Sequence, residues 1–151
     1  MANTQAMCTS FKKELLTGHH AFGTTVTRGS TAADTFKAAL YLASATVDAS
    51  TTAYSATGEV SGTNYTAGGV TVTFGTAPNT SGTTAFVTPS ASIVYTNVTL
   101  STAFDAVLIY NSTQSGRAVS VHTFGSQTIT AGTLTLTMPT NDATNALLRI
   151  A

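Results

Sequence analysis

From residue 35 onward the chain alternates apolar and polar side chains with a period of two, the mark of strands that bury one face. In 35–43, Phe36, Ala38, Leu40 and Leu42 take one side, while Lys37, Ala39 and Tyr41 take the other. In 68–74, Val70, Val72 and Phe74 point inward, with Thr71 and Thr73 outside. The segment 132–139 is the most regular, with Leu134, Leu136 and Met138 against Thr133, Thr135 and Thr137. Segments 83–88, 92–100, 117–124 and 145–150 read as further strands. The run "FDAVLIYN" at 104–111 is apolar on both sides, as a central strand covered on both faces requires. The stretch 48–60 is weaker and fits either a helical turn or a long loop with Tyr54 tucked inward.

Turns rich in Gly, Ser, Thr and Asn separate these segments, a spacing that predicts a sandwich or barrel. About eight strands in two antiparallel sheets is the count of a jelly roll. The fold class is therefore expected to be all-β, an antiparallel, jelly-roll-like β-sandwich. One short helix precedes it. In "SFKKELLTG", Ser10 can cap the first turn, Phe11, Leu15 and Leu16 share a side, and Gly18 suits the end. Residues 1–9 read as a loose arm and 19–34 as a Gly/Thr/Ser-rich loop. The expected division is an N-terminal arm, helix and loop over 1–34, then a sandwich domain over 35–151.

Composition sharpens this picture. The chain has 151 residues and is 42% hydrophobic, enough for one domain with a core. Only 8% of residues are charged, against about 25% in an average domain. The charge balance is zero, and 33 residues are threonine. Threonine is β-branched and favours strands. A neutral, hydroxyl-covered surface repels its neighbours weakly and is disposed to associate. A balanced charge also argues against nucleic acid, which needs a basic face to meet phosphates. Cys8 stands alone, so no intrachain disulfide is expected. The opening lacks the basic and apolar regions of a secretory signal, and no apolar run approaches the ~20 residues that cross a bilayer.

Candidate chemistry is sparse. The acids Glu14, Asp34, Asp48, Glu59, Asp105 and Asp142 are dispersed along the chain and offer no local carboxylate pair. His19 and His20 with Glu14 could begin a metal site, but adjacent histidines point apart on extended backbone and no further ligand is spaced for one. A Ser-His-Asp set can be drawn from Ser120 or Ser126, His122 and Asp105. In a chain so rich in hydroxyls, a strand-face histidine is the plainer reading. The Gly-rich "SGTNYTAGG" at 61–69 lacks the lysine of a phosphate loop. No catalytic residue, cofactor or metal is expected, and the chain is expected not to be an enzyme.

The order of "FKKELL", "KAALY", "YTAGG", "LIYN" and the ending "ALLRIA" resembles a group of small virion structural proteins of tailed bacteriophages. The likeness runs from Phe11 to Ala151. It implies a structural part of a phage particle, made in the host bacterial cytoplasm, with no catalytic residues to carry over. The first expectation is a head cement or decoration subunit, a homo-oligomer bound to the major capsid protein or other virion proteins. The second is a tail or fibre component, in one form a host-surface-binding module that uses loops such as 61–69 or 111–117. A polymer hydrolase is the third, disfavoured by the scattered acids. Neither nucleic acid nor membrane is an expected partner. The expected assembly interface comprises Phe11, Leu15 and Phe22 in the N-terminal segment, with Thr133, Thr135 and Thr137 on the threonine face.

Overall fold

The computed structural model describes residues 3–8, 10, 11, 15, 19–23 and 32–151. Its strands are β1 (Ala6–Met7), β2 (Phe36–Leu42), β3 (Val70–Val72), β4 (Asn79–Ser81), β5 (Thr84–Val87), β6 (Ile93–Asn111), β7 (Arg117–Leu136) and β8 (Leu148–Ile150). They form a five-stranded sheet in the order β1-β7-β6-β2-β3 and a three-stranded sheet in the order β4-β5-β8. All pairings are antiparallel. The fold is thus the all-β sandwich that the alternation predicts.

The strands are partitioned differently from the expectation. Segments 92–100 and 104–111 are one strand, β6, and segments 117–124 and 132–136 are one strand, β7. Nothing between them breaks pairing, because Ser101–Ala103 and the "SQTIT" of 126–130 hold no proline and favour extended backbone. The two long strands form a single hairpin, paired from Asn111↔Arg117 beside the turn to Ile93↔Leu136 at the open end. Its register shifts repeatedly between Tyr95 and Ala106. Such bulges bend a ribbon sharply. Asn97 and Ala131 take positive φ in this region, at 51° and 45°. The Ala131 N–H is held by Thr99 Oγ1 at 3.0 Å, and the Asn97 N–H by Thr133 Oγ1 at 3.3 Å.

The bends fold the outer half of the hairpin back over the inner half. Ile93 and Leu136 consequently line a common cleft with Val107, Ile109 and Phe124. Pairing register puts Phe36, Ala38 and Leu40 of β2 on the same sheet face as Val107 and Ile109. Phe22 stacks on Phe36 at 4.5 Å, and Phe74 meets both rings edge-on at 4.9 and 5.1 Å. The opposite face carries Ala39, Tyr41, Ala106, Leu108 and Val121, all buried. Tyr54, from the long connection between β2 and β3, stacks on Tyr110 there at 4.7 Å. Burial on both faces is why 36–41 and 104–111 read as nearly unbroken apolar runs.

The N-terminal segment is part of this body, which corrects the division at residue 35 and the loose arm. β1 pairs with β7 through Ala6↔Val121 and Met7↔Ser120. Asn3 donates from Nδ2 to the Leu42 carbonyl at 3.1 Å and to Asp105 at 2.5 Å, and its Oδ1 accepts from the Val47 N–H at 3.1 Å. A two-residue strand is too short to carry a period, so the pattern was silent there. Of the helix expected over 10–18, only Ser10, Phe11 and Leu15 lie within the described residues. Of the loop at 19–34, residues 24–31 lie outside them. Its two ends are joined at Asp34, which accepts from the Ala21 N–H at 3.0 Å and from Asn111 Nδ2 at 2.8 Å.

The free edge of β2 is closed by tyrosines gathered near one carboxylate. Tyr95 donates to the Ala38 carbonyl at 2.8 Å, and Tyr65 Oη accepts the Leu40 N–H at 3.0 Å. Beyond them, the Val60 N–H donates to the Leu40 carbonyl and the Leu42 N–H to Gly58. Glu59 accepts from Tyr54 at 2.6 Å, Tyr65 at 2.7 Å and the Gly68 N–H at 2.7 Å. Tyr110 donates to the Gly68 carbonyl at 2.7 Å, and Tyr41 to Ser55 at 2.5 Å. All five tyrosines of the chain therefore serve one region. Burial pushes each phenol up, Tyr41 to about 12, so they act as neutral donors. Gly69 sits at φ +71° against this edge, where a Cβ would overlap the Ala38 carbonyl.

Two substitutions probe the edge. Tyr65→Phe strands the Leu40 N–H and removes a donor from Glu59, so it should cost about 1–3 kcal/mol. Gly69→Ala forces both strained φ and backbone overlap, and should cost about 3 kcal/mol or more. Urea midpoints read both; an unchanged midpoint for Gly69→Ala would show that the 58–69 segment does not press on β2.

Candidate functional site

No Lys, Arg, Asp or Glu occurs between Glu59 and Asp105, nor between Arg117 and Asp142. The end of the first stretch and most of the second meet in the outer half of the β6–β7 hairpin. Their polar positions emerge together because β6 and β7 are in regular register from Ile93 to Tyr95. Thr133, Thr135 and Thr137 are exposed, and Val94, directly opposite Thr135, is 40% exposed. Thr96 is exposed two residues along β6 from Val94. The result is a run of exposed hydroxyls and methyls carrying no formal charge, with Thr135 and Thr137 also at the lip of the cleft that Leu136 lines. Covering such a patch removes no ion from water, whereas burying a lysine or glutamate costs several kcal/mol per ion.

The expected interface residues separate into two groups. Thr133, Thr135 and Thr137 lie on this surface. Phe11 and Phe22 are buried, their rings 5.9 Å apart, and Leu15 packs against the same core. These three apolar side chains are used inside their own chain. They also line an apolar hollow of about 100 Å³ beside the exposed Ile150, while the threonines stand exposed on their strand.

The catalytic constellation drawn from the sequence does not assemble. Ser120 Oγ and His122 Nε2 are 2.9 Å apart, two residues along one strand face. Ser120 is only 2% exposed, however, and Asp105 takes the Asn3 amide instead. Ser126 lies exposed further along β7. Among the described residues no carboxylate hydrogen-bonds His122, so the group that orients the base of a triad is missing. Burial pushes the His122 imidazole below its ordinary value, which keeps the ring neutral. His122 also separates two hollows. One is an open groove of about 570 Å³ reached by Gln5, Thr84, Asn145 and Arg149. The other is the apolar cleft of about 300 Å³ under the folded hairpin.

His20 is buried, edge-on to Phe11 at 4.8 Å, with Nδ1 3.2 Å from Asn111 Nδ2. Glu14 lies outside the described residues. Among the described residues no three His, Cys, Asp or Glu side chains gather as metal ligands, and no helix is long and apolar enough to cross a membrane. In the 61–69 loop Tyr65 turns onto Tyr95 with centroids 5.9 Å apart. The ring is committed to the fold, so that loop presents no aromatic platform for a sugar.

Sequence reasoning found the threonine face from its alternation. It missed the convergence of the tyrosines, which come from β2, the β2–β3 connection and both ends of β6 and share no local signal. It also missed that the threonine strand is the far end of the strand carrying His122. No protein-family model matches the chain, and neither curated proteins nor solved structures give a match.

The neutral state of His122 sets a pH dependence. Its folded pKa lies below the unfolded value near 6.5, so the unfolded chain binds the extra proton. The associated stability is present above that pH and is lost as pH falls through it toward the folded pKa. Thermal unfolding of wild type and His122→Gln between pH 8 and 5 should show a smaller decline in the variant. Parallel curves would contradict the assignment.

Proposed function

We propose that this chain is a non-enzymatic structural subunit of a bacteriophage particle, seated through the charge-free outer half of the β6–β7 hairpin. The observation that carries the reading is a surface on which Thr133, Thr135 and Thr137 stand beside Val94, with no charged residue from Ile93 to Phe104 of β6 or from Ala118 to Leu136 of β7. Such a surface is poorly suited to steering a charged ligand and well suited to close packing against another protein. The likeness to small tailed-phage virion proteins, from Phe11 to Ala151, points the same way. Within that reading the chain acts as a cement or decoration subunit on the head. It binds the assembled shell and not its dissociated parts, so it shifts the equilibrium toward the intact particle.

Immunogold labelling of intact particles with an antibody to the chain tests this. Label spread over the head is the expected result. Label confined to the tail would move the subunit to the tail or fibre, and absence of label from particles would overturn the proposal.

A further inference from the structure

β7 has a partner on only one side over most of its length. It pairs with β6 throughout and with β1 only at Ser120 and Val121. Among the described residues no strand or isolated bridge lies along its other edge from Gly125 to Leu136. The opposite edge of the hairpin is at least covered at Thr99, which bridges to Thr63. Exposed strand edges are templates for further pairing, and proteins usually blunt them with charge, proline or short length. The other edge strands here use such means. β3 and β4 have three residues each, Pro78 precedes β4, and β8 carries Arg149. Between Gly125 and Leu136 there is neither a charge nor a proline. The register against β6 shifts four times between Leu134 and Thr123, with Ala131 at positive φ, so the regular stretch of this edge is Leu134–Leu136, centred on Thr135.

We infer that this edge pairs antiparallel with the same edge of a second copy, about a two-fold axis near Thr135. The inference rests on the reading of the hairpin as an assembly surface and names its partner. Three features favour a second copy. The chain has no net charge, so two copies approach without long-range repulsion. The strand is self-complementary in parity: any register that sets odd positions against odd positions keeps Thr133, Thr135 and Thr137 on one face and Leu134 and Leu136 on the other. Threonine pairs across strands are favourable, and like charges there are not. A two-fold contact also uses up the edge on both copies, so pairing ends at a dimer and does not run on as a fibre. The threonine faces of the two copies then form one continuous surface of twice the width.

The test uses the purified full chain and sedimentation equilibrium from micromolar to millimolar concentration. Wild type should show a monomer–dimer equilibrium. Thr135→Lys and Thr135→Glu each place like charges across the axis and should weaken the dimer at least tenfold. An equimolar mixture of the two should recover it, a result that a merely structural effect on the monomer would not give. If either variant fails to fold, Thr135→Arg and Thr135→Asp replace the pair. A wild type that stays monomeric throughout, or charge variants that dimerise as wild type does, would overturn the inference. A dimer that never locates to particles would overturn the proposed function and leave this inference standing. A particle-bound chain that is monomeric alone would do the reverse.

Discussion

The structure depends on one geometric constraint: a hairpin that is too long to lie flat. Nineteen residues of β6 in extended backbone would reach about 60 Å. A compact chain of this length has a radius of gyration near 15 Å. The hairpin must therefore bend, and it does so through register shifts around 95–106 and a left-handed residue in each strand. Folding back lets the outer half roof the inner half, so one hairpin supplies parts of both layers. The apolar side of 132–138 is consumed in that roof, and the threonine side is left facing out.

A second constraint follows on the other face. The five-stranded sheet has apolar side chains on both sides, and its second face is closed by the connection between β2 and β3, which has little regular structure. Such a connection carries many backbone groups that need partners. Glu59 and the tyrosines meet that need. One carboxylate takes three donors, and phenols satisfy the carbonyl and amide that β3 is too short to reach. Neutral donors suit this place, because their hydroxyls can be enclosed without burying a second charge. The chain's low charge is thus of a piece with its construction. Where it does use a carboxylate near the core, Asp34 and Glu59 each take three donors and Asp105 takes the Asn3 amide.

How much of this was legible in the residues differs by region. The alternation of 132–138 and the dense run at 104–111 place inside and outside correctly, because a period of two is a local property; in 35–43 the second side, with Ala39 and Tyr41, is buried as well. The sandwich class follows from the same signal. The merging of four segments into β6 and β7 was not legible, since a bulge and a turn look alike in a Ser/Thr-rich stretch. The incorporation of β1 depends on Asn3 reaching residues far along the chain. The tyrosine network is long-range in the same sense. Of the expected interface, the threonines stand on the surface because alternation put them there. Phe11 and Phe22 have no local feature that distinguishes a core ring from an exposed one.

A surface without charge makes a physical claim about binding. Contacts that neutralise ions weaken steeply as salt rises, while contacts made by hydroxyls, methyls and backbone hydrogen bonds do not. The most direct test is therefore retention of the chain on purified particles across ionic strength, from about 0.01 M to about 1 M. The account predicts retention that is nearly flat over that range. Progressive release with salt would contradict it, and would mean that charged groups elsewhere on the chain make the contact.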